Sequence, residues 1–196
     1  MNASLHDWGA DLNYFHTAAR NFFDHDALDD SNIFFPLTID RARIRGVEVM
    51  VKSPLIGGRA RIHLAYSYQF AEGAGGVTGG LTDFSPPEEG YFFLDHDQRH
   101  TLNVGFTCKL PVSSYLSGAI HYGSGFVDGE GPEHLPGHVV FDLGLGKSFG
   151  KSWQVDLHAT NVGDQRFLLD NSPTFGGTHF VDPGQVILRA AYRFHY

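Results

Sequence analysis

Two clusters of acidic and histidine side chains are the residues best placed to do chemistry. The stretch FFDHDALDDSN, residues 22–32, gathers Asp24, His25, Asp26, Asp29 and Asp30. Carboxylate oxygens at that density could hold calcium, but the EF-hand spacing is missing and a solvated acidic loop is the plainer reading. Asp95, His96, Asp97 and His100 form the second cluster. An Asp beside a His can activate water; the plainer reading places these four residues at the start of a strand. AEGAGGVTGG, residues 71–80, is Gly-rich but lacks the Lys-Ser/Thr that completes a phosphate loop, and is expected to be a mobile loop. HYGSGF around Ser124 lacks the Gly-x-Ser-x-Gly elbow of a hydrolase. No catalytic, cofactor-binding or metal-binding residue is therefore expected.

The elements that must position these residues are strands. The clearest is the tail QVILRAAYRFHY, residues 185–196. Leu188, Ala190, Tyr192, Phe194 and Tyr196 share one face; Ile187, Arg189, Ala191, Arg193 and His195 share the other. A period of two is the signature of a strand. Seven more are expected, near residues 8–22, within 33–51, and near 59–70, 98–110, 115–123, 138–149 and 153–161, with no helix between them. Each of the last five sets an apolar face against a face rich in Gly, Ala, Ser and polar residues. In 33–51, Val47, Val49 and Val51 share parity with Arg41, Arg43 and Arg45. Either a bulge near Gly46 repairs the register, or the arginines project beyond an apolar band.

These parities give the remaining polar and aromatic residues their readings. His63, His121, His158 and His195 fall on the polar face, where they could line a path for a polar solute or stand as isolated residues in a wet interior. Tyr66, Tyr68, Phe70, Tyr192, Phe194 and Tyr196 fall on the apolar face. They could stack on sugars, but an aromatic girdle at a membrane interface fits them better. Cys108 lies among apolar-face neighbours and is expected to be inert.

Composition narrows the class. Charged residues are 18% of the chain, below the roughly 25% of an ordinary soluble protein. A net charge of −8 gives no reason to expect a nucleic-acid partner. No apolar run approaches the roughly 18 residues of a membrane-spanning helix, and a single cysteine excludes an internal disulfide framework. The first residues, MNASLHDWGADLNYF, show no basic region followed by an apolar stretch, so no secretory signal is expected in them. The connections are more informative. Residues 52–58, 111–114 and 150–152 are short; 23–32, 71–97, 124–137 and 164–184 are long, and the two kinds alternate. Short turns at one end and long loops at the other are the pattern of outer-membrane barrels. The expected fold class is all-β: an antiparallel, up-and-down transmembrane β-barrel segment of about eight strands.

Four stretches extend this reading to a family. LDHDQRHTLNVGF, residues 94–106, resembles the start of a barrel strand in TonB-dependent outer-membrane receptors. ATNVGDQRF, residues 159–167, is similar to that family's Asn-hydrophobic-x-Asp-x-x-aromatic ending of the penultimate strand. GGTHFVDPGQVILRAAYRFHY, residues 176–196, looks like its final loop and last strand, and IRGVEVMVKSP, residues 44–54, fits its Gly-x-Glu strand and turn. The motif positions are Asp97, Arg99, His100, Asn161, Asp164, Phe167, Gly177 and Pro183. Gly184 departs from the pattern, which usually has Arg after the proline, and this would weaken a salt bridge at the rim.

The resemblance implies that residues 1–196 are the C-terminal part of a 22-stranded receptor barrel, without the plug domain or the short box that contacts the energy-transducing partner. It implies active uptake of a scarce solute such as a siderophore, cobalamin or an oligosaccharide, and a place in the cell outer membrane. The implied partners are outer-membrane lipid, the remaining barrel and plug, and the TonB complex through the N-terminal part. The barrel-assembly machinery would read the terminal strand, with Leu188, Tyr192, Phe194 and Tyr196 facing lipid. Two other readings compete: a self-closing eight-stranded barrel serving as a structural anchor or adhesin, and a barrel-rim enzyme.

Overall fold

The computed structural model of the chain describes residues 2–5, 7–27, 33–80, 86–87, 89–94, 97–129, 131–171 and 179–194. It is an antiparallel sheet of long strands. In chain order these are β1 (Asn2–Leu5), β2 (Trp8–Ala27), β3 (Phe34–Lys52), β4 (Ala60–Gly79), β5 (Phe92–Phe93), β6 (His100–Leu110), β7 (Ser114–Gly123), β8 (His138–Phe149), β9 (Trp153–Thr160), β10 (Leu168–Asp170), β11 (His179–Phe180) and β12 (Gln185–Tyr192). The sheet runs β1-β2-β3-β4-β6-β7-β8-β9-β12, with β5 added beside β4; β10 and β11 form a separate small hairpin. The eight expected strands are β2, β3, β4, β6, β7, β8, β9 and β12. Among the described residues the path ends at β1 and at β12, which do not pair, so the sheet is an open wall.

The two faces invert the pattern of a soluble sheet. On β8, Phe141, Leu143 and Leu145 are each about half exposed while Gly144 and Gly146, on the alternate face, are buried. On β9, Leu157 is 43% exposed and its neighbour Asp156 is 3% exposed. Aliphatic side chains fill the middle of the apolar face. Aromatic rings crowd its ends, with Phe149, Trp153 and Tyr192 by the short turns and Tyr14, Tyr68 and Tyr122 toward the long loops. Val139 to Phe149 covers about 33 Å of strand at ~3.3 Å per residue. Tilted by ~40°, that matches the roughly 25 Å apolar band of an outer-membrane barrel.

The other face is held by polar contacts and by rings seated over glycines. A Cβ on Gly105 would strike the imidazole of His63, and one on Gly146 would strike the ring of Tyr115 and come within 2.5 Å of Asp156 Oδ1. The Tyr115 hydroxyl donates to Asp156 Oδ1 at 2.9 Å. His121 lies 2.6 Å from Asn103 Oδ1 and 3.2 Å from Asp142 Oδ2. His63, His121 and His158 thus share this face; His195 lies outside the described residues. Cys108 is a free thiol whose Sγ lies 3.7 Å from the Lys109 carbonyl oxygen.

The arginine puzzle of β3 is settled by register. From Arg41 to Lys52, β3 pairs with β4 without a shift, so there is no bulge at Gly46. Arg45 stands opposite Phe70 and Arg43 opposite Glu72, directly beyond Val47 opposite Tyr68. The register shift falls higher, between Ile39 and Arg41, opposite 75–76 of β4.

The Gly-rich stretch 71–80, expected to be a mobile loop, is instead strand as far as Gly79. Ala71, Glu72, Gly73 and Ala74 are buried. Leu37, Ile39, Ala71 and Leu94 form a small core against Phe22, Ile44, Val77 and Phe92. Gly73 is small because the Phe92 ring lies on it, and Gly75 has the positive φ of 87° that the register shift requires.

Candidate functional site at the loop-bearing end

The pairing registers place all long connections at one end of the wall. Gly9 opposite Lys52, Leu110 opposite Ser114 and Phe149 opposite Trp153 mark the short-turn end. Gly123 opposite His138 and Thr160 opposite Gln185 mark the other, from which residues 80–99, 124–137 and 161–184 emerge. These loops would otherwise be loose, and two polar staples fix their roots.

The first staple is Asp97, fully buried. Its Oδ1 accepts from the Ala71 N–H at 2.6 Å, and its Oδ2 lies 2.9 Å from His134 Nε2 and 3.4 Å from Arg99 Nε. The Arg99 guanidinium covers the rings of Phe70, at 3.8 Å, and Phe93, at 4.3 Å. One carboxylate therefore ties the 80–99 connection both to β4 and to the 124–137 loop. His100 lies at the foot of this group. Its Nδ1 is 2.7 Å from the Tyr66 hydroxyl, its N–H donates to Ser124 Oγ, and its carbonyl accepts from the Ser124 N–H. Ser124 thus serves a backbone junction.

The second staple is Asn161, 4% exposed and at a φ of 45°. Its Nδ2 donates to the carbonyl oxygens of Gln165, at 2.9 Å, and Asp182, at 3.0 Å, while its Oδ1 accepts from the Gln165 N–H. Its own N–H donates to Asp142 Oδ1. Asn tolerates this left-handed backbone better than most residues, because its short amide bonds locally. Asp164 closes the loop root: Oδ1 accepts from the Gly184 N–H at 3.0 Å, and Oδ2 lies 3.5 Å from Arg166 Nη2. The Gly184 hydrogen bond, aided by Arg166, holds the Asp164 carboxyl below its usual range. Gly184 has a reason of its own: a Cβ there would sit 2.8 Å from the Asn161 carbonyl oxygen.

The two staples are bridged. Phe167 stacks on His138, ring centroids 3.9 Å apart and 11° from parallel. His138 in turn reaches over Gly123, where the Gln98 side chain also ends. The motif positions Asp97, Arg99 and His100 are thus one group; Asn161, Asp164 and Phe167 form a second, with Pro183 in the strap 182–184 that Asn161 and Asp164 hold. Gly177, Asp95, His96 and the acidic residues Asp29 and Asp30 lie outside the described residues. Leu188, Tyr192 and Phe194 stand well exposed on the apolar face of β12, and the Tyr192 ring leans on Trp153 and Phe194; Tyr196 lies outside the described residues. Sequence reasoning missed His134, His138 and Glu72, which sit in no motif and gain roles only when distant strands meet. Among the described residues no His, Cys, Asp and Glu side chains gather as a metal site.

The comparisons with known proteins agree with this architecture. The family model described as TonB dependent receptor-like, beta-barrel matches residues 3–162. No curated protein sequence matches the chain. Among solved structures, the ferric-catecholate import receptor Fiu from E. coli K12, closed form, is 18% identical with a TM-score of 0.63, over 95% of this chain and 25% of that one. The ferripyoverdine receptor of the outer membrane of Pseudomonas aeruginosa is 13% identical with a TM-score of 0.65, over 97% of this chain and 26% of that one. At these identities the likeness is one of fold, and the chain spans about a quarter of the length of either receptor. A family match over most of the chain, on an open antiparallel wall with an exposed apolar face, shows that the chain belongs to the TonB-dependent receptor-like β-barrel family.

Proposed function

We propose that the chain is the C-terminal portion of the wall of an outer-membrane TonB-dependent receptor, which takes up a scarce solute of the ferric-siderophore class. The carrying observation is the family match to a wall whose long loops all leave one end from stapled roots. Stapled roots hold the bases of these loops in place. The similar structures, a ferric-catecholate import receptor and a ferripyoverdine receptor, favour a ferric siderophore over cobalamin or an oligosaccharide.

The open edges support a segment of a larger wall over a self-closed small barrel. Lipid offers no hydrogen bonds, so every backbone group at a spanning edge needs a partner strand. In this reading β1 and β12 pair with the rest of the barrel, the apolar face of β12 meets lipid, and the plug lies against the glycine-rich face. The TonB complex acts through the N-terminal part, and the barrel-assembly machinery reads β12. Nothing in the staples asks for catalysis: each carboxylate is engaged by backbone or cationic donors, and Ser124 is held in a backbone junction.

The test is growth and radiolabelled iron uptake by a strain deleted for the gene, supplied in turn with ferric catecholates, ferric hydroxamates and cobalamin. Loss of uptake for one iron chelate, restored by the intact gene, is the expected result. Unchanged iron uptake with lost cobalamin uptake would overturn the siderophore assignment.

A further inference from the structure

Asp142 on β8 divides its two oxygens between two regions of the wall. Oδ2 lies 3.2 Å from His121 Nε2 on the polar face of β7. Oδ1 accepts from the Asn161 N–H at 2.8 Å, at the root of the 161–184 loop. Both side chains are open to the polar face, His121 at 43% and Asp142 at 31% exposed. Asp142 also lines a trough of about 250 Å³ on that face, with His63 and His158. Neighbouring carboxylates do not divide in this way. Asp156 takes its donors, Tyr115 and Gln154, from the wall, and Asp164 takes Gly184 and Arg166 from the loop.

His121 is itself fixed. Its Nδ1 lies 2.6 Å from Asn103 Oδ1 on β6, so the ring cannot turn from Asp142 without losing a second contact. Asn161, at the other end, depends on its surroundings. Its φ of 45° is left-handed, a conformation that a non-glycine residue keeps only where its neighbours over-determine it. The Asp142 hydrogen bond is one such determinant, and the bond from the Val162 N–H to the Phe141 carbonyl oxygen is another. A line of contacts thus runs from Asn103 through His121 and Asp142 to Asn161. From there it reaches the Gln165 and Asp182 carbonyl oxygens of the loop.

We propose that His121 and Asp142 are positioning residues for solute capture: through Asn161 they set the root of the 161–184 loop from the lumen side of the wall. The role rests on the receptor reading above, which turns the polar face toward the lumen and makes 161–184 a loop that meets solute. A carboxylate held at both oxygens presents Oδ1 to the Asn161 N–H in one orientation. Released from His121, it is free to rotate, and Asn161 loses a determinant of its backbone. Coupling between sites needs a contiguous network and an element with two arrangements. Here the network is the His121–Asp142 contact and the element is the Asn161 backbone.

The test uses the full receptor in outer-membrane vesicles, in a Cys108→Ser background with a nitroxide at Val162→Cys, an exposed site beside Asn161. A ferric tris-catecholate and a ferripyoverdine are the solute probes. H121A should raise the mobility of the label and weaken binding of whichever chelate the parent takes by about 5-fold, the equivalent of one hydrogen bond. H121Q, whose amide can donate to Asp142, should restore most of both. D142N, which keeps an acceptor for the Asn161 N–H, should lie nearer the parent than D142A. The H121A and N161A losses should not add in the double variant, because both break one line of contacts. Heat-modifiable gel mobility confirms that each variant is folded. Unchanged label mobility in H121A, or additive losses in the double variant, would overturn the proposal. If neither chelate binds the parent, the siderophore reading fails, and the label mobility alone decides whether His121 positions the loop root.

Discussion

His134 meets Asp97 at 2.9 Å across 37 residues of chain. That contact joins two loops that neither strand pairing nor the apolar face holds together. Removing the carboxylate leaves Arg99 and His134 without their anion and the Ala71 N–H without its acceptor. D97A should therefore cost about 2–4 kcal/mol, somewhat less than a fully enclosed pair would, because both partners are partly exposed. D97N, which can still accept from Ala71, should cost less. Denaturant unfolding and protease nicking within 124–137 measure both; equal stability of D97A and the parent would refute the staple.

Asn161 should be hard to replace. N161A loses three side-chain hydrogen bonds and places Ala at a positive φ, an expected cost of about 2–3 kcal/mol. N161G relieves the backbone but not the hydrogen bonds, so it should fall between parent and alanine. If N161G matches the parent, backbone conformation is the whole role of Asn161 and the side-chain staple is wrong.

Gly146 makes room for the Tyr115 ring. G146A should destabilise by about 1–3 kcal/mol through overpacking, and Y115A should remove most of that penalty in the double variant. Additive losses in the cycle would show that the two positions do not meet.

The Asp164 carboxyl is held below its usual range by the Gly184 N–H, with Arg166 second. A depressed folded pKa favours closure of the 161–184 root above about pH 4, and that contribution is lost as pH falls through the folded value. The protection factor of the Gly184 amide, its exchange rate corrected for the intrinsic pH dependence, should fall on acidification, and D164A should be poorly protected at every pH. A protection factor of the parent that stays constant through the acid range would contradict the linkage.

The strands were legible because alternation is local: β6, β7, β8 and β9 each announce their faces within ten or so residues. So was the short–long alternation of connections, which a register then had only to confirm. What escaped was non-local. Residues 71–79 read as a loop because Gly73 and Gly75 look like turn residues; they are strand because Phe92 and a register shift need the space. Whether Arg41, Arg43 and Arg45 forced a bulge depended on Glu72 being opposite, and no spacing along the chain says so. Asp97 and Asn161 stood in stretches that resemble family motifs, but their partners His134 and Asp182 were not singled out, since a hydrogen bond between loops leaves no periodic trace.

The central claim is that the apolar face meets lipid while its alternate face does not. In a Cys108→Ser background, single cysteines placed in turn at residues 139–145 of β8 can carry a nitroxide in the membrane-embedded receptor. Accessibility to oxygen and to a water-soluble nickel chelate is then read at each site. Val139, Phe141, Leu143 and Leu145 should favour oxygen, with Val140, Asp142 and Gly144 favouring the chelate or neither, in strict period two. Chelate access at Phe141, Leu143 and Leu145 equal to that at Asp142 would contradict the account.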